Sequence, residues 1–255
     1  MTSAVIVQAR FASTRLPGKV LLPLGARPEL AVVLERCARI PGIDVVVCAV
    51  PDDRASDAVA EVARACGAVV FRGSERDVLA RYDGAARAVG AAIVMRVTSD
   101  CPLIDPALCG AVLAALEDRD TDYACNTMPP LWPHGLDCEA FRAEHLARAA
   151  AWTQRPYDRE HVTPWLRRNP DLRRVNCDGP GGGLERHRWT LDHPADYAFF
   201  VALWQAMGER AATASTAEIL AALSARPEIV DINRAHFDEK RLADRSVLAD
   251  LRIAA

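Results

Sequence analysis

The sequence lacks any apolar stretch long enough to span a bilayer, and no basic flank precedes a leader-length apolar run, so neither an anchor nor a secretory signal is expected. Its eight cysteines include no Cys-x-x-Cys pair, which argues against a zinc site. Cys48 and Cys125 lie inside apolar runs and read as small buried hydrophobes, suiting a reduced, cytoplasmic setting. No basic face runs along a chain of net charge -3, so nucleic acid is not expected as a partner. Internal repeats and low-complexity segments are also missing. What remains, 51% apolar and 25% charged residues over 255 positions, is ordinary for a soluble globular protein. That length suits a single α/β domain spanning residues 1–255, with room for an inserted arm.

One local absence is more telling. The stretch Gln8-Ala9-Arg10-Phe11-Ala12-Ser13-Thr14-Arg15-Leu16-Pro17-Gly18-Lys19 contains three cations and no acid. It follows the apolar run Ala4–Val7 directly, so a buried strand opens into a polar loop. In an open α/β sheet that edge is where ligands bind. Arg10, Arg15 and Lys19 repel one another unless an anion sits among them, and a polyphosphate matches their number and reach. A solvated basic loop is the plainer alternative, but the Pro17-Gly18 turn fixes Lys19 relative to Arg15.

Strand-like and helix-like runs alternate through the first half. Strands are predicted at Val5–Ala9, Asp44–Val50, Ala68–Phe71, Ala92–Val97 and Tyr123–Asn126. Helices are predicted at about 28–40, 55–66, 77–89 and 106–117. This rhythm means a doubly wound, mostly parallel sheet. After Asn126 it breaks, and about 127–170 reads as an arm or lid. Gly179–Gly183 reads as a hinge or loop, His187–Leu191 as a further strand, and Pro194–Met207 and Thr216–Ala225 as closing helices.

Asp100 follows one predicted strand and Asp192 another, each near a proline turn. Two carboxylates at neighbouring strand ends beside a polyphosphate would suit magnesium, which takes a few carboxylates plus phosphate oxygens and water. The competing role is that each caps its following helix. Asp120-Thr121-Asp122 has the Asp-x-Asp pattern of metal-dependent glycosyltransferases, but it precedes its strand and so lies on the wrong edge. Arg72-Gly73-Ser74-Glu75-Arg76-Asp77 follows a strand end where glycine lets backbone approach a base or ribose. Asp137 and Glu139 offer acids for a polar substrate's hydroxyls, and His161 sits among charges on a predicted helix.

In this order the pieces resemble the cytidylyltransferase family that contains CMP-KDO synthetases, acylneuraminate cytidylyltransferases and the spore-coat polysaccharide synthesis proteins, the last branch most closely. The carriers are Gln8–Lys19, Phe71–Leu79, Asp100-Cys101-Pro102-Leu103-Ile104-Asp105, Gly135-Leu136-Asp137-x-Glu139, Arg159-Glu160-His161-Val162-Thr163-Pro164 and Arg188-Trp189-Thr190-Leu191-Asp192. The resemblance implies a nucleotide-diphospho-sugar transferase fold, CTP as nucleotide, Mg2+ and a homodimer. It implies that Arg10, Arg15 and Lys19 grip the triphosphate and that Asp100 and Asp192 bind Mg2+. Gln8, Ala9, Ser13 and the Arg72, Gly73, Ser74, Asp77 loop would complete the nucleotide site. Asp137, Glu139, His161 and Arg188 would contact the acceptor, a hydroxylated acid of the sugar-acid kind. The expected reaction is attack of an acceptor oxygen on the α-phosphorus of CTP with release of diphosphate, in surface-polysaccharide or related biosynthesis. Glycosyl transfer from a nucleotide sugar, or nucleotide binding without turnover, are the alternatives.

Overall fold

The computed structural model describes residues 1–117 and 120–239 and the backbone of 252–253. Strand β1 (Thr2–Gln8) is central, with buried positions running from Ser3 to Val7. A short hairpin, β2 (Pro23–Leu24) and β3 (Arg27–Pro28), leads into helix α1 (Glu29–Cys37). There follow β4 (Val45–Pro51), α2 (Asp57–Ala65), β5 (Val69–Gly73), α3 (Val78–Ala88), β6 (Ala91–Thr98) and α4 (Pro106–Glu117). The second half comprises β7 (Tyr123–Cys125), β8 (Glu139–Arg142), α5 (Ala143–Trp152), α6 (Pro156–His161), α7 (Pro164–Arg168), β9 (Arg174–Asn176), α8 (Pro194–Met207), α9 (Thr216–Ala225), α10 (Pro227–Asp231) and β10 (Arg252–Ile253).

Among the described residues the main sheet runs β10-β9-β7-β8-β6-β1-β4-β5. Every pairing is parallel except those of β8, which runs antiparallel between β6 and β7. The predicted mostly parallel α/β sheet is therefore what forms. The 127–170 segment differs from a continuous arm: its Glu139–Arg142 stretch is an interior strand, α5 packs on β6 and β8, and α6 and α7 pack on α3 and α5. His187–Leu191 is not a strand either. Its one ladder contact is a parallel bridge between Arg188 and His134.

The period-two alternation of β1 divides the core. Val5, Val7 and Ala9 pack with Leu30, Val33 and Leu34 of α1 and Val112 and Leu113 of α4. Ala4 and Ile6 point to the other face, with Leu79 and Tyr82 of α3 and Leu146 of α5. A third cluster joins Leu24, Trp189, Phe199, Phe200 and Leu203 and seats α8 beside the sheet. The fully buried layers on both faces keep the parallel strands in register. Gln8 accordingly pairs with both Ala49 and Thr98, and Pro51 with Gly73. Four parallel strands thus release their loops at one edge.

Candidate functional site

The loop leaving β1 at Gln8 turns back through Gly18, whose φ of 67° is the left-handed conformation that favours glycine. The Gly18 N–H donates to the Phe11 carbonyl at 3.1 Å, closing the loop on itself. Lys19 then begins a single 3-10 turn and projects under the sheet edge. Its ammonium donates to Asp100 Oδ2 at 3.2 Å, Asp192 Oδ1 at 2.9 Å and the Leu191 carbonyl at 2.8 Å. Arg15 reaches the same Asp192 Oδ1 at 2.8 Å. Residues from three distant parts of the chain therefore meet at one point.

Asp100 is placed by β6, and its Oδ1 accepts from the Thr98 hydroxyl at 2.5 Å. Asp192 arrives along a different route. The Trp189 N–H donates to the His134 carbonyl at 2.6 Å, the Leu191 N–H to the Asp100 carbonyl at 2.8 Å, and the Thr190 hydroxyl to that same carbonyl at 3.1 Å. This crossing needs a residue without a side chain at Gly135. Its φ is 109°, and a Cβ there would stand 2.3 Å from the Trp189 carbonyl oxygen. Behind it, Arg188 makes a buried bidentate pair with Asp196, both bonds at 2.8 Å.

Neither acid is spent on a helix end. Asp105 caps α4, accepting from Ala107 N at 2.8 Å and Leu108 N at 3.2 Å. His193 is the N-cap of α8, with Asp196 completing its capping box. The capping role considered for Asp100 and Asp192 thus falls to other residues.

Electrostatics tie the trio together. Burial alone would lower the Lys19 pKa, but Asp100 and Asp192 outweigh it and raise it. Burial would raise Asp100, yet Lys19 and the Thr98 hydroxyl hold it below the usual carboxylate range. As a donor set the two carboxylates are hard oxygen ligands aimed at one cationic position, with Lys19 already there. Among the described residues no third His, Cys, Asp or Glu joins them to make a complete metal cage. Such a pair suits a cation that keeps water and phosphate oxygens in its shell.

The trio forms one wall of a cleft of about 990 Å³, within the usual range for small-molecule sites. Gln8, Ala9, Arg10, Ser13, Arg15 and Lys19 line it from the first loop, Asp100 from the end of β6 and Asp192 from the crossing 187–192 segment. Asp77 and His161 line the facing wall. Asp77 caps α3 through Ala80 N at 3.0 Å and forms an ion pair with Arg159 of α6, so the β5–α3 loop and α6 close the cleft together. Arg81 of α3 pins the same loop from below by bonding the Ser74 carbonyl.

The structure keeps other expected contact residues out of the cleft. Arg72 is paired with Asp57 at 2.6 Å, Gly73 lies within β5, and Ser74 Oγ accepts from Asp77 N at 3.0 Å as a turn cap. Asp137 stands 4.0 Å from His134. Glu139 is 2% exposed and held by Arg96 at 2.7 Å, Arg167 at 2.6 Å and the Tyr123 hydroxyl, so it serves the core and not a ligand. Arg188 is consumed by Asp196. The Asp120 and Asp122 pair precedes β7 and is bound by Arg173. In the other direction, sequence reasoning missed Thr98, Arg81 and Gln154 as cleft residues, and gave Arg76 and Arg159 no role of their own within their candidate motifs. For Arg159 the signal was present, since it opens the Arg159–Pro164 motif.

Comparison with known proteins follows the same outline. A family model described as cytidylyltransferase matches residues 4–207. The spore coat polysaccharide biosynthesis protein SpsF of Bacillus subtilis is 34% identical over 229 residues, 88% of this chain and 94% of its own length. A 3-deoxy-manno-octulosonate cytidylyltransferase of Anaeromyxobacter sp. is 39% identical over 116 residues, 45% of this chain and 47% of that protein. Among solved structures, a cytidylyltransferase from Leptospira borgpetersenii superposes with a TM-score of 0.84 at 27% identity, covering 90% of this chain and 97% of that one. A CMP:2-keto-3-deoxy-manno-octonic acid synthetase complexed with CTP gives 0.61 at 20% identity over 80% of this chain and 99% of that one, a likeness of fold.

Proposed function

The chain belongs to the cytidylyltransferase family, and from that premise we propose that it transfers CMP from CTP to a hydroxyl of a sugar acid or related acid, releasing diphosphate. The observation that carries this reading is the Lys19 ammonium held between Asp100 and Asp192 at the wall of a cation-lined cleft. A cytoplasmic homodimer working in surface-polysaccharide or related biosynthesis fits the same reading; among the described residues no helix is long and apolar enough to cross a membrane.

Phosphoryl-type transfer asks a protein mainly for positioning and charge stabilisation. Arg10 and Arg15 are half-exposed on the cleft side, where a triphosphate reaches both. Lys19, fixed by three bonds, holds its charge at a set position and stabilises the departing diphosphate. Thr98 keeps the Asp100 carboxylate in one orientation. Asp100 and Asp192 would hold Mg2+, which when bound supplies further neutralisation of phosphate charge. The Asp77–Arg159 pair keeps the far wall of the cleft in place.

The test is to incubate the protein with CTP, UTP, ATP or GTP, Mg2+ and a panel of sugar acids that includes 3-deoxy-manno-octulosonate, and to measure diphosphate. Diphosphate is expected with CTP and an acid together. Absence of diphosphate with every nucleotide and acid of the panel overturns the reading, and turnover of a nucleotide sugar without diphosphate replaces it with glycosyl transfer.

A further inference from the structure

Among the described residues Val162 is the one non-glycine residue with a positive φ. Its angles are φ 70° and ψ -58°, and the Thr163 N–H donates to the His161 carbonyl at 2.8 Å. Together these define a γ-turn of the strained hand. A β-branched residue is strained there and persists only where the surroundings over-determine it. Here they do. Val162 is fully buried, and its N–H donates to the Asp158 carbonyl at 2.9 Å. Asp158, also fully buried, is gripped by the Thr153 hydroxyl at 2.6 Å and by Arg168.

The strain does one visible thing: it ends α6 abruptly at His161. That residue lines the cleft, and its ring lies against Tyr157 with centroids 4.4 Å apart. The charged groups around it come from three elements: Glu160 on α6, Arg96 on β6 and Arg167 on α7. Burial lowers the His161 pKa below the ordinary histidine value; Glu160 opposes the shift, and the Arg96 and Arg167 guanidinium groups add to it. At neutral pH the ring therefore stays uncharged and has a nitrogen lone pair to offer.

We propose that His161 receives the proton of the attacking hydroxyl, and that the Val162 turn is the positioning element that fixes its ring in the cleft. This rests on the cytidylyl-transfer reading above. The acceptor O–H bond breaks and its proton passes to a ring nitrogen of His161. The acceptor oxygen bonds to the α-phosphorus, the bond from that phosphorus to the bridging oxygen of diphosphate breaks, and diphosphate leaves with the electron pair. The imidazolium then returns its proton to solvent.

Diphosphate release by the full chain, wild type against His161→Gln and Val162→Gly, is measured from pH 5 to 9 with CTP and the best acid of the panel. His161→Gln is expected to lower kcat about 100-fold, the lower end of general-base effects. It should also abolish the acidic limb of the profile while leaving KM for CTP within twofold. Val162→Gly, which relaxes the turn, should lower kcat with the same CTP KM. In parallel, the His161 ring of the wild type followed by NMR should titrate below the ordinary histidine value in the absence of nucleotide. An active wild type beside a His161→Gln variant that keeps its kcat and acidic limb overturns this proposal alone, as does ordinary titration of the ring. A wild type that releases no diphosphate with any nucleotide and acid overturns the cytidylyl-transfer reading itself.

Discussion

Lys19 and Asp192 lie 173 positions apart in the chain, yet the lysine ammonium donates to the carboxylate at 2.9 Å. The bond can form because the parallel strands around β1 release their loops at one edge, and because the 187–192 segment crosses back over that edge. It holds the ammonium at a set place in the cleft.

Replacing that ammonium is the most direct check on it. Lys19→Met removes a preorganised donor and leaves Asp100 and Asp192 without the ammonium that joins them, Asp192 keeping only its arginine partners. Loss of one such donor costs about 10²–10³ in kcat where it stabilises developing charge. Diphosphate release should fall by that amount while far-ultraviolet circular dichroism stays that of the wild type.

Asp100→Asn separates the carboxylate's charge from its shape. Asparagine keeps the size and one carbonyl oxygen for the Thr98 hydroxyl, but has no charge for a divalent cation or for Lys19. Turnover should drop by orders of magnitude with the fold intact, and half-saturating Mg2+ should rise for any residual activity. Chelating divalent ions from the wild type should abolish diphosphate release without changing Tm in the absence of nucleotide.

Gly135→Ala probes the crossing that delivers Asp192. A methyl group there would meet the Trp189 carbonyl oxygen at 2.3 Å, in a backbone conformation that L side chains rarely adopt. The 187–192 segment must shift, and with it the acid that Lys19 and Arg15 share. Stability should fall by about 2 kcal/mol, in the range for a strained backbone site. The loss of kcat should exceed that of a surface glycine such as Gly67, whose Cβ would meet nothing. Urea melts and steady-state rates give the two numbers.

These outcomes bear on how much was visible in the chain itself. The first loop was legible because charge of one sign without a counter-charge is a local property, and so is the glycine turn that aims it. Asp100 and Asp192 were legible as strand-edge acids, although the second strand does not exist. Asp192 is carried there by side-chain and backbone bonds from Trp189, Thr190 and Leu191, a path with no periodicity to read. Glu139 and Arg188 were misassigned for one shared reason: an ionisable side chain in a motif looks the same whether it faces a ligand or an ion-pair partner. Only the fold brings Arg96 and Arg167 to the first and Asp196 to the second. Strand β8 was missed because four residues cannot show alternation, and it enters the sheet antiparallel after a long excursion.

Glu139 allows that burial to be measured. Desolvation would raise its pKa, but Arg167 and Arg96 overcome this and hold it at about 2, against an ordinary 4.5. A depressed folded-state pKa adds stability that is complete above the unfolded value and is lost as pH falls through the folded one. The window is therefore from about pH 4.5 down to about pH 2, and the pH-dependent part is about 3 kcal/mol. Glu139→Gln removes the charge and leaves two partly buried guanidinium groups without their carboxylate, which costs about 3 kcal/mol at neutral pH, the lower end of the range for a broken buried pair. Below about pH 4.5 the wild type loses its own advantage as the unfolded chain takes up the proton that the folded carboxylate refuses, so the gap between the two proteins should narrow. Denaturant melts of both at pH 7 and pH 3 measure it: a gap of equal size at the two values would mean that the Glu139 carboxylate is not held ionised by its arginines.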